Sequence, residues 1–558
     1  MVPKVCNSVG DNNVVLVDKT TTLTTGGVTK QQQQQQQLLH CDYLVVGAGT
    51  AGMSFVDTLI TENPAATVVL IDRNSQAGGH WTQAYPFVRL HQPSCSYGVN
   101  SLPLSKTFMS KHGNVKERCD IHDCATGADI LEYYQKACDQ FVATGRVKCI
   151  FDCEYKKFDE KTGLHTIIVN SPSGTITTAD NNDNSHNNND DDTIVFTVKC
   201  GKVVTVKTNV TVPSMRKPLI PVAGNVHFVP VNEVPTCAES GKFKKYIVFG
   251  NGKTGTDAII NLLDQQGIDE SQITWVISRD VWYFLRDAME DFYKMSGTFF
   301  KMANEKSVKD CYLTFEKDGM MGRLDPTRDT TNVPNVFKGP TIDVKELNTI
   351  RKISNIVRMG RATSIESNKV LLDHGSFDFT PDDTVLIDCM VDNLYGYTFG
   401  DDFTIFEPGR INLGPLTLVF NVSFSSAHIA FLECALGNKN KTKTNTDNDN
   451  DEAKNKCCYF LRGPYTQPQA ENLIGAMYLQ NKCMAELMKV KGGSKFFFQS
   501  RVNQAAPKHH KGGMTKMLWN FYGPHQMWKF DKELTKKVES KGYSDLDHCF
   551  GIETFRSS

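Results

Sequence analysis

One local syntax occurs twice in this chain, and it constrains the fold more than any other feature. Asp42-Tyr43-Leu44-Val45-Val46 runs into Gly47-Ala48-Gly49-Thr50-Ala51-Gly52, then a stretch with Met53, Val56 and Ile60 at helical spacing, then Thr67-Val68-Val69-Leu70-Ile71-Asp72. Lys245-Tyr246-Ile247-Val248-Phe249 leads likewise into Gly250-Asn251-Gly252-Lys253-Thr254-Gly255, a stretch with Ile259, Leu262 and Leu263 on one face, and Ile273-Thr274-Trp275-Val276-Ile277-Ser278. Each reads as strand, glycine turn, helix, strand. The first glycine makes the tight turn, the second lets backbone approach a pyrophosphate, and the third lets helix pack on strand. The helix N-terminus adds N–H donors and partial positive charge. A lone glycine pattern is weak evidence. Two in this setting predict an α/β protein with two Rossmann-like dinucleotide-binding units. Gly47, Gly49 and Gly52 are candidate contacts in the first, and Gly250, Gly252 and Gly255 in the second. Lys253 and Thr254 open the second helix, where a cation and a hydroxyl are expected to reach phosphates.

The ends of the second strands distinguish the two sites. Asp72 offers a carboxylate to ribose hydroxyls, which suits an adenosine diphosphate without a 2′-phosphate. Arg279 offers a guanidinium that pairs with a 2′-phosphate; Asp280, next to it, is expected to point away. The first site therefore reads as FAD and the second as NADPH.

Composition excludes other classes. Lys+Arg 61 against Asp+Glu 62 leaves a formal charge of −1, with no basic excess for nucleic acid or an anionic membrane. No apolar run approaches the roughly 18 residues of a membrane-spanning helix. The 17 cysteines are scattered rather than dense, and no Cys-x-x-Cys occurs. Reduced thiols in a cytoplasmic setting are the expectation. Cys119, His122 and Cys124 lack a fourth ligand at zinc spacing, so no metal site is assigned.

Gly78-Gly79-His80-Trp81 is followed by Tyr85-Pro86-Phe87-Val88-Arg89-Leu90-His91 and Tyr97-Gly98-Val99-Asn100-Ser101. This resembles the flavin-containing monooxygenase superfamily, from about Cys41 to about Leu436. The resemblance implies an FAD domain with the NADPH domain inserted into it. It implies Gly79, Trp81 and Arg89 around the flavin, and Asn100 as the catalytic candidate beside it, with a turn role for Asn100 as the alternative. Neither His80 nor His91 is assigned as a base. Thr384–Asp388 is expected to re-enter the FAD domain, although Cys389-Met390-Val391-Asp392 departs from the family's usual turn there. Gly224 and His227 only approximate the Baeyer–Villiger fingerprint, and His91 stands where those enzymes carry aspartate.

The implied activity is oxygenation of a small soft nucleophile by dioxygen through a flavin hydroperoxide. The alternatives are a flavin reductase or oxidase without oxygen insertion, or a non-catalytic redox sensor. The expected organisation is a disordered low-complexity segment over 1–39, FAD domain over 40–235, NADPH domain over 236–365, FAD domain again over 366–455, and a helical or irregular C-terminal extension over 456–558. Two Asn/Asp-rich stretches, Ala179–Asp192 and Asn438–Lys456, read as surface-loop expansions. Ala470–Val490 reads as an amphipathic helix carrying Leu473, Met477 and Leu479. The basic, aromatic tail from Arg501 reads as docked on the body.

Overall fold

The computed structural model describes residues 14–17, 36–104, 120–170, 193–206, 212–301, 305, 307–327, 333–390, 403–414, 416, 421–437, 448–460, 470–504 and 532. Ala179–Asp192 and the tail beyond Gln504, apart from Lys532, lie outside the described residues.

The first sheet is built from β1 (Val14–Val17), β2 (Gln36–Val46), β3 (Val68–Ile71), β4 (Val147–Ile150), β5 (Cys153–Asp159), β6 (Leu164–Asn170) and β7 (Thr193–Val206). Its parallel core runs β7-β2-β3-β4, with β5 and β6 as an antiparallel meander leading into β7. β1 pairs antiparallel with Gln36–Leu39. The segment 1–39 is thus not wholly irregular: Val14-Val15-Leu16-Val17 has the β-branched, apolar character of a strand and finds a partner. Helix α1 (Thr50–Glu62) follows β2, and α2 (Gly127–Ala143) precedes β4.

The second unit runs through β8 (Phe228–Pro230), β9 (Lys245–Phe249), β10 (Ile273–Val276), β11 (Trp282–Leu285), β12 (Met321–Gly322), β13 (Phe337–Ile342), β14 (Ile356–Val357), β15 (Ala362–Ile365), β16 (Lys369–Leu372), β17 (Gly375–Asp378) and β18 (Thr384–Asp388). A parallel sheet forms in the order β14-β10-β9-β18-β8. Helices α3 (Lys253–Ile260) and α4 (Val344–Ile350) belong to this unit. Thr384–Asp388 pairs with β9, not with the first sheet, which corrects the expected re-entry point. The apolar run Val385-Leu386-Ile387 is buried on both sides, as an inner parallel strand requires, and either sheet would have satisfied it. Phe228–Pro230, expected in the first domain, also belongs here because it pairs with β18.

The chain returns to the first sheet only at β19 (Phe406–Glu407) and β20 (Arg410–Leu413), the latter parallel to β7. The second sheet is therefore inserted between β7 and β19. Helix α5 (Val422–Leu436) then covers α1. That cover explains why α1 is buried all round rather than on one face: Met53, Phe55, Val56 and Leu59 have no exposed surface, and Ser54 donates to the Ser423 carbonyl at 2.7 Å. Helix α6 (Asn448–Asn455) corrects the loop reading of Asn438–Lys456. Its polar residues have specific buried partners: Lys454 meets Glu433 at 2.8 Å and Asp451 at 2.9 Å, and the Asn455 side chain pairs with the Phe406 backbone. Helix α7 (Ala470–Lys489) matches expectation and buries Leu479; the side chains of Leu473 and Met477 lie outside the description. No described helix is long and apolar enough to cross a membrane.

The two glycine turns repeat in three dimensions. Gly47 and Gly250 take φ of 111° and 107°, a region that favours glycine. A Cβ at Gly52 would sit 1.9 Å from the Gly47 carbonyl oxygen, and one at Gly255 would sit 2.0 Å from that of Gly250. Helix and turn touch backbone to backbone. Gly255→Ala is expected to destabilise the protein by about 3 kcal/mol. Gly252→Ala, whose Cβ meets nothing within 4 Å, should stay within about 1 kcal/mol of wild type. Urea denaturation of the pair checks the contrast.

Candidate dinucleotide sites

Both glycine turns lie at the carboxyl ends of parallel strands, where open α/β sheets bind ligands. Helices α1 and α3 begin on Gly49 and Gly252 with no side-chain cap. Several other helices are capped by side chains: Thr126 and Asp129 form a capping box on α2, Asp343 and Glu346 form one on α4, and Asn421 caps α5, whereas the helices Val234–Glu239 and Gly493–Gln499 have no such cap. The helices behind the glycine turns keep their first N–H donors available for an anion.

At the first turn, a Cβ on Gly49 would lie 3.4 Å from the Gly79 Cα, so two glycine backbones line one narrow gap. Gly78 and Gly79 both have positive φ, and the Gly78 N–H donates to the Ala48 carbonyl. Asp72 sits beside this gap, 6% exposed. Its Oδ2 accepts from the Ala48 N–H at 2.6 Å, and its Oδ1 accepts from the Asn74 N–H and side-chain amide. Burial pushes its carboxyl up, against the pull of those donors. Of the roughly four acceptor positions on a carboxylate, one remains for a ribose hydroxyl.

Trp81 is buried, and its Nε1 donates to the Tyr97 hydroxyl at 2.7 Å. That hydroxyl is in turn hydrogen-bonded to Thr50, which also accepts from Tyr134 at 2.9 Å. Trp81 therefore braces the first residue of α1. Arg89 is exposed and donates to the Cys124 carbonyl at 3.2 Å. It pairs by a β-bridge with Thr126, and the structure does not bring its charge to the turn.

Asn100 is also placed away from the turn. Its Nδ2 meets Thr58, far along α1, at 3.3 Å. Its Oδ1 accepts from Ser500 at 2.9 Å and from the Val502 N–H at 3.3 Å. Arg501 beside it donates to the carbonyls of Cys95, Tyr97 and Val99. The carboxamide thus fastens the segment after α8 (Gly493–Gln499) to the body. These contacts hold the start of the tail against the body. Cys95 is disulfide-bonded, contrary to the expectation of reduced thiols throughout; the other described cysteines carry reduced thiols.

The second turn departs from expectation at its cations. Lys253 is 7% exposed, and its ammonium is held by Asp257, one helical turn on, and by Glu346 at 3.2 Å. Thr254 hydrogen-bonds the Tyr85 phenol. Lys253 is thus taken up by its two carboxylates and Thr254 by the Tyr85 phenol. The main-chain N–H groups of this turn remain the anion donors.

Arg279 is half-buried in the loop that follows β10. Burial lowers its pKa and so does the neighbouring charge of Arg361. A dianionic phosphate between two guanidinium groups relieves that repulsion. Asp280 is engaged by Arg358 at 3.1 Å, so its charge is neutralised. Asn251 is 1% exposed; its Nδ2 donates to the Arg279 carbonyl at 2.6 Å, and its Oδ1 has no hydrogen-bond partner. That orphaned acceptor beside an open cradle fits a nucleotide donor. Sequence reasoning missed Asn251 and Arg361; the asparagine inside Gly250-Asn251-Gly252 was visible, whereas Arg361 comes close only through folding. Cys119 lies outside the described residues, and the Cys124 thiol faces the Gln92 carbonyl.

No protein-family model matches the chain. The chain is 33% identical over 409 residues to "Uncharacterized protein Rv2000" of Mycobacterium tuberculosis, covering 71% of this chain and 68% of that protein. "Uncharacterized protein Mb2023" of Mycobacterium bovis matches to the same extent. The chain belongs to the family of these mycobacterial proteins. Among solved structures, a steroid monooxygenase bound to NADP is 13% identical with a TM-score of 0.45, covering 71% of this chain and 85% of that one. A flavin monooxygenase from Stenotrophomonas maltophilia is 12% identical with a TM-score of 0.38, covering 71% and 98%. A bacillithiol disulfide reductase from Staphylococcus aureus is 12% identical with a TM-score of 0.34, covering 62% and 76%. These likenesses are too distant to bear on the reaction.

Proposed function

We propose that this chain is an FAD- and NADPH-dependent oxidoreductase, FAD at the first glycine turn and NADPH at the second. The observation that carries the reading is the pair of uncapped helices behind glycine turns, one ending its unit on Asp72 and the other on Arg279 beside Arg361. Bound FAD would supply the redox chemistry, taking hydride from NADPH and passing electrons onward. The chain's own residues bind and orient. The α1 N–H groups and the Gly78-Gly79 backbone hold the pyrophosphate, and Asp72 accepts from ribose. Trp81, Tyr97 and Tyr134 brace the start of α1. The main-chain N–H groups of the α3 turn hold the second pyrophosphate, the Asn251 Oδ1 accepts from a donor on the nucleotide, and the two arginines meet its 2′-phosphate.

The reaction fitting the Gly78–His91 and Tyr97–Ser101 motifs is oxygenation of a small soft nucleophile, an amine or thioether, with dioxygen as co-substrate. One observation favours a second reading without oxygen insertion: Asn100 is hydrogen-bonded to Thr58 and Ser500. A single assay tests both. The purified protein is expected to be yellow and to oxidise NADPH in air. Product formed on a panel of amines, thioethers and ketones with little peroxide selects oxygenation. Peroxide or dye reduction alone selects the second reading, and a colourless protein indifferent to NADPH overturns both.

A further inference from the structure

We propose that the buried ion cluster around Lys253 is a positioning device that fixes the second glycine turn against the Tyr85–His91 segment of the first unit, and so sets hydride donor against acceptor. The inference rests on the two-nucleotide reading. Every charged member of the cluster belongs to the second unit. Lys253 and Asp257 lie on α3, Asp343 and Glu346 at the start of α4, and Arg286 just after β11. Glu346 receives Lys253 at 3.2 Å on one oxygen and Arg286 at 3.1 Å on the other. Arg286 also reaches Asp343 at 3.3 Å. The side chains of Lys253 and Arg286 are only 6% and 4% exposed. Burial alone would raise the Glu346 carboxyl, but the two cations outweigh it and hold it at about 2.

The cluster reaches across to the first unit by two hydrogen bonds, and Asp343 also faces the His122 Nδ1 of that unit at 3.8 Å. The Tyr85 phenol donates to Asp257 at 2.6 Å, and the Arg286 Nε donates to the His91 carbonyl at 2.8 Å. Both acceptor and donor on the first unit lie in the segment that begins at Gly79 and passes through the short 3-10 turn Gly79–Gln83. Asp257 is one turn of helix beyond Lys253, which itself follows Gly252. A short path of buried links therefore joins one glycine turn to the other. The His91 ring adds no third cation: burial, then the charges of Lys253 and Arg286, depress its pKa to about 3.

Stability alone is a poor account of this arrangement. Desolvating several charges gives back most of what their attraction supplies, and apolar residues of similar volume hold an interface as well. What the ions supply is directionality. Each carboxylate oxygen has an assigned donor, so the interface has one favoured register. Hydride transfer is sensitive to that register, because a displacement of about 1 Å costs on the order of a hundredfold in rate.

Tyr85→Phe keeps the ring, packed 4.8 Å from Phe87 between centroids, and deletes the hydroxyl. The variant is expected to keep its flavin and to bind NADPH within about twofold of wild type, while anaerobic flavin bleaching at saturating NADPH slows about tenfold or more. Hydrogen–deuterium exchange over residues 85–91 of the protein as isolated should quicken. Arg286→Lys, which keeps the charge and loses the Nε donor, should show the same pattern. Bleaching within about twofold of wild type, or slowing matched by an equal loss of NADPH affinity, overturns the inference. So does unchanged exchange. A wild type that holds no flavin instead defeats the two-nucleotide reading, and the exchange result still decides whether the cluster holds the segment.

Discussion

Gly49→Val is expected to give a folded protein that carries no flavin. The position has ordinary backbone angles, φ −81° and ψ −175°, so valine introduces no backbone strain. Its Cβ lies 3.4 Å from the Gly79 Cα, at van der Waals distance. The two methyl groups beyond that Cβ have no room toward Gly79, whose backbone already packs against Gly49, and in the proposed site they crowd the N–H face of the turn where the pyrophosphate would lie. FAD affinity should fall by about 4 kcal/mol, near a thousandfold. The visible absorbance of the purified variant, read against its thermal unfolding midpoint, separates lost binding from lost folding. Full flavin content in this variant would refute the assignment of the first site. Gly52→Ala makes a useful contrast, because its Cβ meets the Gly47 carbonyl and so attacks the fold before the ligand.

Arg279→Ala should abolish the preference for the phosphorylated nicotinamide cofactor. Losing a charge-assisted contact to a 2′-phosphate costs about 2–3 kcal/mol, which raises the KM for NADPH roughly thirtyfold or more. NADH, which lacks that phosphate, should change by about threefold at most. Arg361→Ala should act in the same direction, because the two guanidinium groups are close enough to repel each other in the free protein. Their mutual repulsion also predicts that the double variant loses less than the sum of the singles. Steady-state kinetics with both cofactors checks all three variants. Equal effects on NADPH and NADH would remove the case for a 2′-phosphate site. Asp280 does not oppose that site, since Arg358 neutralises it.

The sequence alone was enough to predict the two strand–turn–helix–strand units, and both are present with the same turn geometry. The reason is local. A turn whose third glycine sits about 2 Å from a carbonyl oxygen, by the position of its absent Cβ, admits no other residue, so the pattern is written in consecutive letters. Asp72 and Arg279 were placed from the sequence by the same local logic, each following the second strand of its unit. The insertion of one sheet into the other was implied by family resemblance and is present, but its boundaries were not legible. Thr384–Asp388 is an apolar strand that fits either sheet, and only its pairing with Lys245–Phe249 decides between them.

Side-chain assignments that depended on distant neighbours needed the tertiary structure. Lys253 is a plausible phosphate ligand until Glu346, far along the chain, is folded against it. Asn100 is a plausible cofactor contact until Ser500 and Val502 take its carbonyl oxygen. Arg89 is a plausible flavin contact until the bridge to Thr126 holds it at the surface. Asn448–Asn455 is a plausible loop until Glu433 and the Phe406 backbone supply the partners that its polar residues require. Backbone geometry is imposed by adjacent residues and is readable from their order. The partner of a long polar side chain is whichever complementary group the fold delivers, and no run of consecutive residues records that choice.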